Sequence, residues 1–284
     1  MTTTPTIPEP QKRRLLAHFG LTKLPFRKNV NASDMFQSRA QQALLHGLNL
    51  FLEIRGLAVV TGASGVGKSI TLRRFLQGLD ESRFRPIHLP IAPTTAIGFL
   101  RSLNRALGLP MRAHAADLFA QAQQHLVADQ EGPHTLLVVD DAEGCRPEWL
   151  DLLRRLTAYA LDGEDRFSIL VSGTEDVLRI FRAPGLEPLR SRVAYAQALR
   201  PMQVDDTHAY VAWHLERAEA PKNLFSDESV RILFQASGGR PRRVNQLALQ
   251  ALIAATVHGR EQIDARFLNE TLAEHPLFEN GSAA

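Results

Sequence analysis

The run Gly62-Ala63-Ser64-Gly65-Val66-Gly67-Lys68-Ser69 satisfies G-x-x-x-x-G-K-[ST] at every specified position. The pattern describes phosphate chemistry. Its glycines let backbone N–H groups curl round anionic oxygens, its lysine brings a charge to the β and γ phosphates, and the following hydroxyl is placed to hold Mg²⁺. Such a loop works between a buried strand and a helix. Leu57-Ala58-Val59-Val60 reads as that strand, and Ile70-Thr71-Leu72-Arg73-Arg74-Phe75-Leu76 as that helix. Gly62 through Ser69, with Ile70, are therefore the expected nucleotide-binding residues, and ATP with Mg²⁺ the expected ligands.

A carboxylate must join the loop from elsewhere in the chain. Thr135-Leu136-Leu137-Val138-Val139-Asp140-Asp141 supplies it, about 70 residues downstream of the loop. Its apolar residues suit a strand buried on both faces of a parallel sheet, and the acid at its carboxyl end lands beside the phosphates. Asp140 is expected to hold Mg²⁺ through water, together with Ser69. Asp141 is the candidate base for the attacking water, and Glu143 the alternative.

The elements needed to position these groups fit in 284 residues as one large α/β domain plus a smaller appendage. A hydrophobic content of 44% is that of a globular chain. No apolar run reaches the roughly 18 residues that cross a bilayer, and Met1 to Pro10 is polar and rich in Pro and Thr, unlike a secretory signal. A cytoplasmic location and no membrane contact are the expectation. The single Cys145 has no partner for a disulfide or a cysteine metal site. The formal charge of +3 is unevenly placed: residues 1–55 hold eight Lys and Arg against three acids, so this stretch is +5 and the remainder −2. An excess of base of this kind is the footprint of a phosphate-bearing partner, and equally of a solvated face.

Along the chain, His18 to Phe26 combines apolar anchors with Pro25 and is expected to pack onto the core. Leu44, Leu45, Leu48, Phe51 and Leu52 recur at helical spacing ahead of the first strand. A second strand follows near Arg85–Ile91, then helices near Thr95–Leu107 and Ala115–Asp129, the acid-bearing strand, a helix over Pro147–Ala160 and a buried strand Phe167–Gly173. Strands alternating with helices mean a wound parallel sheet with its ligand at the carboxyl ends. After about Pro201 only helices are expected, capped by Asp205 or Asp206, by Ser226 and by Asp264, with Pro241 opening a long one. The expected division is a basic extension over 1–36, a nucleotide-binding core over 37–200 and a helical lid over 201–284.

A phosphate-loop core followed by a small helical lid resembles an AAA+ ATPase. The details are similar to the ExeA/GspA-like branch and its transposition helpers of the TniB, TnsC and MuB type. The residues that carry this are Phe19-Gly20-Leu21 with Pro25-Phe26, the phosphate loop, Leu136 to Asp141, Val171-Ser172-Gly173-Thr174, Arg190-Ser191-Arg192-Val193, and Ser237 to Asn245 with its Gly238-Gly239-Arg240-Pro241-Arg242 block. The resemblance implies a RecA-like α/β fold, an αβα sandwich with a C-terminal helical lid. It implies that Ser172, with Thr174 as alternate, senses the γ-phosphate, that Arg242 reads nucleotide state, and that Arg190 or Arg192 reaches a neighbouring subunit's nucleotide. Asp141 departs from the family's usual Glu, which points to slow turnover.

On function, the same resemblance implies a homo-oligomer, a ring or helical filament, that binds double-stranded DNA without sequence preference and recruits or stimulates a transposase. DNA along its axis would meet the loops that follow the second strand, here Thr94, Thr95, Arg101, Arg105 and Arg112. Two alternatives accompany it. One is a secretion-associated ATPase, which in the ExeA/GspA type usually continues into a membrane span and a periplasmic domain that this sequence does not show. The other is a soluble nucleotide switch that barely hydrolyses.

Overall fold

The computed structural model describes residues 9–28, 30–89, 95–128, 132–144, 147–158 and 166–274. They form two compact units, one running from Gln41 to Arg200 and one built from the described residues up to Ala40 together with those from Pro201 onward.

The Gln41–Arg200 unit is organised by five strands, β1 (Leu57–Thr61), β2 (Phe84–Leu89), β3 (His134–Val139), β4 (Phe167–Gly173) and β5 (Val193–Ala198). Their order is β2-β3-β4-β1-β5, and every pair is parallel. The central strands are the ones legible as apolar runs, because helices on both faces leave no side for water. Every residue of β1 and β4 is buried. The edge strand β5 reads Val-Ala-Tyr-Ala-Gln-Ala and alternates between half-buried and exposed, so its small residues carry no strand signature and sequence reasoning passes it over.

Helices α2 (Arg39–Ile54), α3 (Lys68–Gln77), α4 (Ala96–Ala106), α5 (Ala115–Ala128), α6 (Pro147–Thr157), α7 (Asp176–Phe181) and α8 (Glu187–Arg190) accompany the sheet, with α1 (Glu9–Phe19) preceding them in the other unit. One face of the sheet, Leu57, Val59, Leu137, Val139, Ile169 and Val171, packs with Phe99, Leu103, Leu118, Leu126, Leu153 and Leu156 from α4, α5 and α6. Each fully buried side chain of this size contributes about 1.5–3 kcal/mol, so strand ends held by this core are rigid platforms for the loops that leave them.

In the second unit, α1 joins α9 (Val204–Arg217), α10 (Asp227–Ser237), α11 (Pro241–Val257) and α12 (Ala265–Ala273). Leu15, Phe19, Leu21 and Phe26 share one apolar cluster with Leu233, Leu247, Leu252 and Leu268. The apolar anchors of His18–Phe26, expected to pack onto the core, are buried in this helical cluster: apolar anchors announce burial but not which core receives them. Phe26 has φ 58, a strained value for a bulky residue. Its N–H donates to His214 Nδ1 at 3.2 Å, and its ring centroid lies 4.9 Å from that of His214.

Helix starts follow local chemistry. Ser226 Oγ accepts the Ser229 N–H at 3.2 Å, and the Asp264 carboxylate accepts the Phe267 N–H at 2.8 Å. The cap of α9 is Gln203, not Asp205 or Asp206; both acids lie in the first turn instead, where they favour the positive end of the helix dipole. Gly238 ends α10 in the left-handed region at φ 59. At Gly239 a Cβ would stand 2.0 Å from the Met202 carbonyl oxygen, and the Met202 N–H donates to the Gly239 carbonyl at 2.9 Å. The Gly-Gly-Arg-Pro-Arg block is thus a tight corner that launches α11.

Candidate nucleotide site

The phosphate loop leaves the carboxyl end of β1, where the Leu199 N–H donates to the Thr61 carbonyl at 2.7 Å. A Cβ at Gly62 would meet the Leu199 carbonyl oxygen at 2.5 Å, so only glycine lets the loop turn there. Gly67 stands at φ 109 as the cap of α3, a conformation that favours glycine. Lys68 is buried, and its Nζ donates to the carbonyls of Gly62 at 2.7 Å and Ala63 at 3.3 Å. Ser69, next on α3, is exposed, as is Ser64, while Val66 is buried and Ala63, Gly65 and Ile70 are half-buried. A cation folded against its own cradle suits a site whose natural occupant is an anion.

Sequence reasoning missed the support behind this loop. Gln41, in the first turn of α2, is buried and donates through Nε2 to Thr71 Oγ1 at 3.0 Å, and that hydroxyl donates to the Gly67 carbonyl at 2.9 Å. A Cβ on Gly67 would lie 2.9 Å from Gln41 Nε2. Its one available signal was a polar residue on the buried stripe of α2.

The acidic half leaves β3. The Asp140 N–H donates to the Leu89 carbonyl at 3.3 Å, and Asp140 Oδ1 accepts the Asp141 N–H at 3.0 Å. Asp140 is buried, whereas Asp141 is exposed and sits at φ 54. Asp and Asn tolerate that left-handed backbone better than longer side chains, which gives a physical reason for the shorter acid here. Glu143 lies in a single 3-10 turn, Ala142–Gly144, and its Oε2 accepts the Thr174 N–H at 3.2 Å.

Ser172 belongs to β4, between the two strands that carry the loop and the acid; it is level with Val60 of β1 and one step beyond the Val139–Val171 pair with β3. Its Oγ is fully buried and has no hydrogen-bond partner. An orphaned buried hydroxyl costs about 1–3 kcal/mol, and such an exception calls for a functional account. The alternate, Thr174, has its hydroxyl within 3.5 Å of Asp176 Oδ2.

The remaining candidates lie apart from this cluster. Arg190 ends α8 and donates to the Phe181 carbonyl at 3.2 Å; Arg192 donates to Thr157 Oγ1 at 3.3 Å. Both precede Val193, which pairs with Leu57 at the amino end of β1. They stand at the amino end of the sheet, whereas the phosphate loop leaves its carboxyl end. Arg242 is exposed in the first turn of α11, in the helical unit. Thr95 caps α4 by accepting the Gly98 N–H at 3.2 Å. Arg101 and Arg105 are exposed one turn apart on α4, and Arg112 Nε donates to Gln121 Oε1 at 3.4 Å. Thr94 and Cys145 lie outside the described residues.

Among the described residues no group of three or more His, Cys, Asp and Glu is placed to hold a metal ion. Mg²⁺ needs only one or two protein oxygens beside the substrate phosphates. Ser69 and Asp140 could supply them.

Comparison with known proteins bears on this arrangement. Residues 53–181 match the model of an AAA domain family. General secretion pathway protein A of Aeromonas hydrophila is 30% identical over 250 residues, which cover 86% of this chain and 45% of that protein. The chain thus spans less than half the length of that relative. Among solved structures, Cdc6p from Pyrobaculum aerophilum superposes with a TM-score of 0.68 at 20% identity, covering 88% of this chain and 70% of that one. The Aeropyrum pernix ORC2 protein gives 0.62 at 16% identity over 89% and 71% of the two chains. The Thermotoga maritima RuvB branch migration motor gives 0.52 at 16% identity over 82% and 67%.

Proposed function

We propose that this chain, whose core is an AAA+ domain with a RecA-like fold and whose sequence is akin to general secretion pathway protein A, is an ATP-hydrolysing switch that works as an oligomer. The observation that carries the reading is the convergence of Lys68, Asp140 and the orphaned Ser172 hydroxyl at the carboxyl ends of the neighbouring strands β1, β3 and β4.

In this reading the backbone N–H groups of Gly62–Ser69 and the Lys68 ammonium hold the phosphates, and Ser69 and Asp140 hold Mg²⁺. The bound metal ion would neutralise charge that develops on the transferred phosphoryl group. Ser172 offers its hydroxyl to the γ-phosphate, which relieves its buried isolation. Asp141 accepts the proton of the attacking water. Arg190 or Arg192, at the end of the strands away from its own loop, serves a second copy of the chain, and Arg242 reads the nucleotide from the helical unit. A planar, always charged guanidinium suits both roles.

What the switch drives is proposed at two levels. The kinship with general secretion pathway protein A favours a role in powering a secretion assembly. The second reading is DNA transposition, with double-stranded DNA and a transposase as partners. It is favoured by Arg101 and Arg105 exposed together on α4, by Arg13 and Arg14 exposed on α1, and by a fold shared with an Aeropyrum pernix ORC1 protein solved with DNA.

Two measurements test these levels. Mg²⁺-dependent ATP turnover that Lys68→Ala removes is expected, and its absence in the native chain would end the ATPase reading. Fluorescence anisotropy on random duplex DNA at several salt concentrations, with and without ATP, separates the two roles. The DNA reading expects ATP-strengthened binding whose logarithm falls by about 0.9 per phosphate contact with log salt, weakened by Arg101→Ala/Arg105→Ala. No binding at low salt leaves secretion.

A further inference from the structure

We infer that Glu143 is a positioning residue for ATP hydrolysis and not its base: its carboxylate straps the turn after β3 to the end of β4 and thereby fixes Ser172. The inference rests on the ATPase reading above.

The ladder between β3 and β4 ends at the pair Val139 and Val171. From Ser172 onward β4 is paired only with β1, through Val60–Ser172 and Thr61–Gly173. The strap lies where the ladder stops. Glu143 Oε2 accepts the Thr174 N–H at 3.2 Å, across 31 positions of sequence. The fit is close enough to set the residue type between the two contacts: a Cβ on Gly173 would lie 2.7 Å from the same Oε2, 3.2 Å from the Glu143 backbone nitrogen and 2.5 Å from Val177 Cγ2. Gly173 is not in the left-handed region, so glycine is required there by approach and not by φ. Ser172, one residue before this interlock, holds the buried hydroxyl with no partner. Its position relative to the phosphate therefore depends on a strand end held on one side by β1 and on the other by Glu143.

The same geometry argues against Glu143 as the base. The oxygen that faces β4 is already accepting a backbone N–H, which holds the carboxylate toward β4. Asp141 lies closer to Asp140 in the chain, and its exposed position puts its carboxylate in contact with solvent.

The test compares three variants by steady-state ATP turnover and by affinity for a fluorescent ATP analogue. Glu143→Gln keeps a carbonyl-type acceptor for the Thr174 N–H but cannot act as a base; its kcat is expected within about 3-fold of native, with an unchanged acid limb in the pH profile of kcat. Glu143→Ala should lose about 10-fold in kcat with affinity within about 3-fold. Ser172→Ala should lose a similar factor, and Glu143→Ala/Ser172→Ala should fall little below the worse single variant, because coupled residues do not add.

Losses of about 100-fold or more in both Glu143→Gln and Glu143→Ala, the size of a missing general base, would overturn the inference. So would a Glu143→Ala protein that melts earlier but turns over ATP at the native rate. If Glu143→Ala does not fold, Glu143→Gln and its pH profile decide alone. A native chain without Lys68-dependent turnover removes the ATPase reading and this inference together, an outcome distinct from an active native chain with an inactive Glu143→Gln.

Discussion

The Lys68 ammonium donates to the Gly62 carbonyl, 2.7 Å away and six residues back in the same loop. The lysine therefore has two alternative sets of partners, its own loop carbonyls and the phosphates, and nucleotide binding exchanges one for the other. Removing it deletes the bonds to the loop carbonyls in the free state and those to the phosphates in the bound one. Charged hydrogen bonds contribute about 1.5–3 kcal/mol each, so Lys68→Ala is expected to weaken binding of a fluorescent ATP analogue by at least about 10-fold in a protein that still folds. Native affinity in this variant would remove the assignment of the loop.

Asp141→Asn should separate binding from hydrolysis. Asparagine accepts the left-handed backbone that residue 141 adopts at φ 54, so the turn is preserved while the proton acceptor is lost. Turnover is expected to drop by about 100-fold or more with ATP affinity kept. Unchanged turnover would place the base elsewhere.

The position of Arg190 and Arg192 at the amino end of β5 predicts a shared site. ATP turnover should rise more steeply than linearly with protein concentration, since each copy completes its neighbour. Mixing Arg192→Ala with Lys68→Ala subunits should recover activity that neither shows alone. Recovery in neither this mixture nor its Arg190→Ala counterpart would exclude donation between copies.

Two histidines give stability an acid limb. Burial, helped by the charge of Arg217, pulls His214 down to about 4 from the ordinary 6.5, and burial with Arg55 does the same to His134. Between those values the unfolded chain binds protons that the folded chain refuses. Stability is full above about 6.5 and falls as pH drops toward 4, by up to about 1.4 kcal/mol per pH unit for the buried His214 and by less for the half-buried His134, whose charge water screens. His214→Gln should be less stable than native at pH 7.5 yet show a shallower decline in thermal melts between pH 6.5 and 4.5. A decline as steep as native in both His214→Gln and His134→Gln would refute the assignment.

The phosphate loop, Asp140 and the three central strands were legible because their chemistry fixes residue type and spacing together. Arg242's corner was legible for the same reason, through Gly238, Gly239 and Pro241. Other features were not, for distinct physical causes. Gln41 is a polar side chain doing buried work on an otherwise ordinary amphipathic helix, and only its contact with Thr71 reveals it. The tie between Glu143 and Thr174 joins residues far apart in sequence by a backbone N–H, which every residue but proline carries. Phe26 announces burial, but its partner His214 is named only by the fold.

Leu15, Phe19 and Phe26 complete an apolar cluster whose other members come from beyond Pro201. The helical unit is therefore a body whose two parts are made before and after the sheet unit, which is inserted between them. As the chain emerges from the ribosome, Gln41–Arg200 is contiguous and can collapse on its own, while the early amphipathic segment must wait with its apolar face uncovered until α11 and α12 arrive. Domains that fold in order of synthesis pass through such half-finished states, where exposed apolar surface invites chaperones and aggregation. In this chain the vulnerable interval is set by the length of the insertion, and the part that must be shielded is the one made before the sheet unit.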